Sequence, residues 1–338
     1  MGVEYPCVSI VLPVRNEEKY IKICLDSIIA QKYPKKLLEV VVVDGISTDG
    51  TRDIILSYKD KYGFIKILDN CEKNTITGLN LGIKNAKGDI IVRVDGHVFL
   101  EDNYIEQCVR ALFQSDAANV GGLMRPIGKN YIQRAVAFAT STIFGIGWGK
   151  FHYSKKDQYV DTVYLGAFKK SLIEKIGLFD PEMSYSEDNE FNLRIARNGG
   201  KILLCHKIKS YYFPRESING LARQYYKYGY YKVKLIKRYK LMVSWRHFIP
   251  AIFVGSIVIC GMLIPFIPLL SYFFFGSMAA YLGISVIFSI PGSKKIGIEY
   301  LPVLPLIFAT IHFSYGIGFL KGLKDFILSD NLLRYKAG

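Results

Sequence analysis

Charge is what the carboxyl-terminal third of the sequence lacks. Between residues 247 and 320 only Lys294, Lys295 and Glu299 carry it. Such scarcity excludes an ordinary solvated surface. The stretch divides into three apolar runs, about 248–266, 269–290 and 301–320, each of roughly 20 residues; at ~1.5 Å per residue such a run crosses a hydrocarbon layer of about 30 Å. A buried helical core is the competing explanation. Acid is missing just before these runs. Residues 217–246 hold no Asp or Glu but eight basic side chains, Arg223, Lys227, Lys232, Lys234, Lys237, Arg238, Lys240 and Arg246, interleaved with tyrosines. A basic, aromatic segment can stack on single-stranded nucleic acid. Directly before an apolar run it suits an anionic leaflet, with Tyr at headgroup level. The expected partner is therefore anionic lipid and not nucleic acid.

Other absences narrow the chemistry. The six cysteines stand without CxxC spacing, which points to neither a cysteine zinc motif nor a disulfide framework and fits a reducing cytoplasm. The opening "MGVEYPCVSIVLPV" has no basic n-region and no small-residue cleavage site, so it is not read as a signal peptide. No GxGxxG follows the first strand pattern, and GxxxxGK[ST] is absent throughout. That argues against a dinucleotide fingerprint or a P-loop.

What is present in the front half is an α/β pattern. Residues 8–14, 38–44, 65–69 and 90–94 are short runs rich in β-branched residues. Helical patterns alternate with them: one after Glu17, one after "STDGT", where Ser47 or Thr48 can cap, and one over about 77–86 that stops at "KGD". The alternation predicts a parallel sheet with helices on both faces and ligands at the carboxyl ends of its strands. Those ends carry the polar residues "PVRNEE", "DGISTDG" and "DGH".

Several blocks in order resemble the family 2 glycosyltransferases: "VSIVLPVRNEEKYIKICLDSI", "VVVVDGISTDGT", "NLGIKNAKGDIIVRVDGH" and "YSEDNEFNLRIARNGGKI". The DGH variant, "FGIG" at 144–147 and the run from Pro214 to Gly229 are similar to the membrane-bound glycosyltransferases of succinoglycan-type exopolysaccharide synthesis. The resemblance implies a GT-A fold, Rossmann-like with a mostly parallel sheet, over 1–215. A basic, aromatic juxtamembrane segment at 216–246, about three transmembrane helices within 247–322 and a tail at 323–338 would follow. It implies a multi-pass protein of the cell membrane with its catalytic domain in the cytoplasm.

The same resemblance implies site residues. Asp95 and His97 take the places of the family's DxD motif, which holds a divalent cation against the donor's diphosphate. Strand alternation would point both to one side, and the imidazole tilts the choice between Mn²⁺ and Mg²⁺ toward Mn²⁺. Pro13, Arg15, Asn16 and Glu17 would border the nucleotide, and Asp44 would accept a hydrogen bond from the base. The commonest family pattern ends strand two with two acids; here Gly45 stands second. In "SEDNEF", residues 186–191, Asp188 corresponds to the general base, while a helix start with an acidic first turn is the plain alternative. Glu187, Arg215, Arg223, Gln224 and Lys227 are candidates for acceptor or diphosphate contacts, the last two through a loose match to the QxxRW motif of processive synthases. Residues 130–148 are apolar but too short to span; interfacial placement near the acceptor and core packing are both open.

The activity implied is inverting, metal-dependent transfer from a nucleoside diphosphate sugar, a UDP-sugar by preference, to a lipid-linked saccharide on a polyprenyl diphosphate. A polyprenyl-phosphate sugar synthase, a processive polysaccharide synthase and an inactive nucleotide-sugar-binding scaffold are the alternatives.

Overall fold

The computed structural model describes residues 5–147, 149, 154–240 and 245–328. It divides into two compact units, Met1–Arg125 with Lys150–Tyr212, and Pro126–Gly149 with Phe213–Gly338. A single cut at residue 215 would miss this discontinuity: the apolar segment around 130–147 belongs with the carboxyl-terminal helices.

The first unit is a nine-stranded sheet. Strands β1 (Val8–Val14), β2 (Leu38–Asp44), β3 (Ile65–Asp69) and β4 (Ile90–Arg93) are parallel in the order β3-β2-β1-β4. Helices α1 (Glu18–Ile29), α2 (Thr51–Lys61) and α3 (Thr75–Asn85) make the crossovers. Period-2 alternation sorts β1 between two cores. Ile10, Leu12 and Val14 join Ile21, Leu25 and Ile55 from α1 and α2, while Val11 joins Ile76, Leu79 and Ile83 from α3. A strand covered on both faces has no place for polar side chains, hence its unbroken apolar sequence.

Beyond β4 the sheet turns antiparallel. Strands β5 (Val98–Leu100), β6 (Ala117–Pro126), β7 (Gln158–Val160), β8 (Ala167–Lys169) and β9 (Lys201–Tyr212) continue it as β4-β8-β6-β9-β5, with β7 also on β9. Helices α4 (Tyr104–Gln114), α7 (Leu172–Ile176) and α8 (Glu187–Arg197) accompany them. Gly88 is required by close approach: a Cβ there would stand 2.5 Å from the Ser9 amide nitrogen on β1. Helix α3 closes at Ala86, whose backbone is extended, so the glycine of "KGD" serves this packing contact.

The second unit is helical. It comprises α5 (Tyr131–Ala139), α6 (Ile143–Ile146), α9 (Ile218–Tyr239), α10 (Ile249–Leu263), α11 (Leu270–Ile296) and α12 (Val303–Leu323). Ala135, Val136 and Ala139 of α5 share a core with Leu221 of α9 and Leu304, Ile307 and Phe308 of α12. Of the three expected spans, two form helices long and apolar enough to cross a membrane, 270–296 and 298–327. The first run yields only the 15 residues of α10, because Pro265 and Pro268 follow it and proline cannot continue a helix. In the third run, Pro302 stands at the N-cap of α12 and Pro305 in its first turn, where no intrahelical N–H bond is lost. The basic residues of the tail beyond 328 lie outside the described residues.

Candidate active site

The polar rim begins at the end of β1. Asn16 takes a left-handed backbone, φ +55°, which Asn tolerates better than most residues. Its Oδ1 accepts from the Thr48 amide at 2.9 Å, and its own amide donates to Ser47 Oγ at 3.0 Å. The Glu17 amide donates to Thr51 Oγ1 at 2.7 Å. These bonds stitch the loop after β1 to the loop after β2. Arg15 lays its aliphatic stem beside Gly45, 3.2 Å from where a Cβ there would stand. Pro13 is buried within β1.

Asp44 is fully buried and held by its own loop. It accepts from the Ser47 amide at 3.1 Å and Ser47 Oγ at 2.6 Å, and it pairs with Arg52 at 2.9 Å. Arg52 also reaches Asp69 at 2.6 Å. Ser47 is therefore occupied at Asp44, and the expected cap of α2 comes from elsewhere: Asp49 accepts from the Thr51 amide at 3.1 Å.

Strand β4 stops at Arg93, so Asp95 and His97 lie in a turn, closed by the Val98 amide donating to the Asp95 carbonyl at 3.1 Å. Strand alternation therefore does not orient them. The Asp95 carboxylate accepts from Arg93 Nε at 3.1 Å and from the Tyr164 hydroxyl at 3.2 Å. His97 Nδ1 lies 3.0 Å from Glu17 Oε1. Burial works to raise the Asp95 carboxyl, but the charges of Arg93 and His97 and the bonds from Arg93 and Tyr164 outweigh it, and its pKa is lowered.

Arg93 is the hub. Its side chain is 5% exposed and grips two further acids from the start of α8, Asp188 through Nη1 at 2.6 Å and Glu187 through Nη2 at 3.0 Å. One guanidinium thus faces three carboxylates, Asp95, Glu187 and Asp188. Burial pushes the Asp188 carboxyl up to about 7; Arg93 opposes this, and the charges of Glu187 and Asp95 add to it. The remaining acid of the α8 first turn is structural. Glu190 is fully buried and bonds Arg194 at 2.6 and 2.8 Å, and Arg194 also donates to the Leu178 carbonyl at 2.8 Å. Ser186 at the N-cap makes no side-chain capping bond. The acidic first turn of α8 thus has no hydroxyl cap and is tied to a buried arginine.

Sequence reasoning missed Arg93 and Tyr164. The only signal for Arg93 is a cation inside an otherwise apolar strand. Four other candidates, Arg215, Arg223, Gln224 and Lys227, fall in the second unit. Gln224 donates to the Tyr228 hydroxyl at 2.8 Å, while Arg215, Arg223 and Lys227 are exposed.

Among the described residues no group of three or more His, Cys, Asp or Glu side chains forms a metal cage. A carboxylate and an imidazole in one turn fit a different kind of site, in which a small cation takes one or two protein ligands and the rest from phosphate oxygens and water.

The chain belongs to glycosyl transferase family 2, whose model matches residues 9–176, and it is a glycosyltransferase. It is 32% identical over 266 residues to the dolichyl N-acetyl-alpha-D-glucosaminyl phosphate 3-beta-D-2,3-diacetamido-2,3-dideoxy-beta-D-glucuronosyltransferase of Methanococcus voltae, covering 76% of this chain and 83% of that one. It is 26% identical over 320 residues to the succinoglycan biosynthesis protein ExoA of Rhizobium meliloti, covering 94% and 95%. Its fold is similar to that of the mannosyltransferase PcManGT of Pyrobaculum calidifontis, solved with GDP-Man and Mn²⁺. That match has a TM-score of 0.61 at 20% identity and covers 96% of this chain and 88% of the other. The expected GT-A architecture holds, and the two long apolar helices suit association with a membrane.

Proposed function

We propose that this chain is an inverting, metal-dependent glycosyltransferase that moves a sugar from a nucleoside diphosphate sugar, a UDP-sugar by preference, to a hydroxyl of a lipid-linked saccharide. The observation that carries the reading is the Arg93 hub, which joins the acid after β4 to the acid at the start of α8. Asp188 is the general base: held by Arg93 and poised near neutrality, it takes the acceptor's proton as the oxygen attacks the anomeric carbon opposite the leaving diphosphate. Glu187 and Arg93 fix its position. Asp95 and His97 would hold a divalent cation, Mn²⁺ or Mg²⁺, which when bound supplies neutralisation of charge on the departing nucleotide. Arg15, Asn16 and Glu17 border the nucleotide at the rim beside Pro13. Asp44 acts there by shaping the loop that its bonds to Ser47 and Arg52 fix, and by offering what acceptor capacity remains to the base.

A lipid-linked acceptor is supported by the dolichyl phosphate substrate named for the Methanococcus voltae relative and by the apolar helical unit. Arg215, Arg223, Gln224 and Lys227 lead into or lie on α9 and are proposed to meet the acceptor's diphosphate or anionic lipid. The catalytic unit would face the cytoplasm, where nucleotide sugars are made. The test is to incubate the purified full chain with Mn²⁺, polyprenyl-diphosphate saccharides and a panel of nucleotide sugars, and to weigh the lipid products. One sugar added with inverted anomeric configuration is expected. Excess chelator, or His97→Ala, should reduce product at least tenfold. Full activity in chelator would remove the cation from the mechanism.

A further inference from the structure

The helical unit presents two unlike faces. Helix α12 is its middle layer. On one flank α9 runs alongside it in the same direction, for Gly318 meets the backbone of Tyr226, and Gly322 meets Tyr230 and Val233 further on. A side chain on Gly229 would collide with the carbonyl of Tyr315, and one on Gly318 with that of Tyr226. The two backbones therefore lie as close as helices can, over several turns. Wherever α12 sits, α9 sits with it.

The outer face of α9 is cationic. Arg223, Lys227, Lys237 and Arg238 are exposed there, and at ~3.6 residues per turn the four fall within ~100° of one another, on one stripe. The opposite side of the unit is uncharged. From residue 249 to 293 no side chain carries charge, and Ile252, Met262, Phe266, Phe275 and Ile287 are 63–80% exposed on α10, α11 and the turn between them. On α12, Leu306 and Ile317 are each 50% exposed, roughly a third of a turn round from the Gly318–Gly322 flank. Basic residues also mark both ends of the unit. Lys294 and Lys295 close α11, level with the start of α12 where Gly292 meets Leu304, and Lys321 and Lys324 close α12 beside the end of α9. Neither end has the scarcity of Lys and Arg expected of the far side of a membrane.

A bundle crossing the bilayer would carry the stripe of α9 through hydrocarbon, where Lys and Arg are strongly disfavoured. A bundle lying flat satisfies both faces at once. We propose that this unit embeds in one leaflet, with α10 and α11 among the acyl chains, α9 turned to anionic headgroups and water, and no helix passing from one side to the other. The inference does not depend on the reaction catalysed.

The test uses the full chain with Cys7→Ser, Cys71→Ser and Cys260→Ser, which leaves only the buried Cys24, Cys108 and Cys205, expressed and recovered in sealed membrane vesicles. Single cysteines are placed at the two ends of the bundle, Lys295→Cys and Lys237→Cys, and in the catalytic unit at Lys36→Cys, which is exposed. A membrane-impermeant maleimide is applied before and after detergent. The expected result is that all three sites react to the same extent, within about twofold, before detergent, or are all protected until it is added. Reaction at one end with protection of the other until detergent would overturn the proposal and establish a spanning bundle. Arg238→Cys replaces Lys237→Cys should that variant not accumulate.

Discussion

In the catalytic unit several of the buried polar groups are paired ions. Arg93 binds Asp188, 95 positions away, Asp44 binds Arg52, and Glu190 binds Arg194. In the helical unit many are hydroxyls, rings and amides: Ser289 donates to the Ser285 carbonyl at 2.7 Å, the Tyr281 hydroxyl meets His312 Nδ1 at 2.8 Å, and Gln133 donates to the Pro214 carbonyl at 3.0 Å. Close approach of its helices comes from glycine. The difference follows from environment. A cleft open to water on one side can hold three acids on one cation because solvent and ligand share the field, whereas an apolar bundle offers less relief and pairs its polar groups mostly as neutral donors and acceptors.

The sharpest way to break this comparison is to remove the proposed base. Asp188→Asn should lower turnover by ~10²–10⁴-fold while leaving donor affinity within about twofold, read from initial rates and donor titration. A variant keeping most of its turnover would move the chemistry elsewhere. Next in size is the hub: Arg93→Gln strands three carboxylates and should cost ~3–5 kcal/mol of stability, measured by chemical denaturation, with Arg93→Lys recovering part of it. The pH profile comes third. Because the Asp188 carboxyl is pushed up to about 7, it is protonated and unable to accept a proton below that value. Turnover should fall ~10-fold per pH unit on the acid side and level off above it; a rate flat down to pH 5 would contradict the assignment. The smallest effect belongs to the other unit. Gly318→Leu should lower its stability by ~1–3 kcal/mol through overpacking and leave the midpoint of the acid limb in place.

Much of the catalytic unit was legible in the sequence. The first three strands fall where their β-branched runs place them, because a doubly covered strand leaves few alternatives to Val and Ile. Asp95, His97 and Asp188 were visible as motif positions. Arg93 was not, since its partners are fixed only by the folded chain and an arginine in "IIVRVD" reads as any strand residue turned outward. His97 was expected to share a strand face with Asp95; the strand ends sooner, at Arg93, and the turn gives His97 to Glu17 instead. In the second unit, hydropathy located the apolar runs but not their packing. That α5 and α6 dock on α12 is a contact between distant segments, and no local pattern announces it.

The Arg93 bonds to α8 bear on how this protein can be shortened. The stretch matched by the family model ends at residue 176, before Glu187 and Asp188 and before β9, which pairs with both β5 and β7. A polypeptide trimmed to that recognisable stretch would keep the polar rim after β1 and β2 yet forfeit the acids from α8 and leave two strands without a neighbour. Activity screens on minimal versions should therefore extend at least through Tyr212.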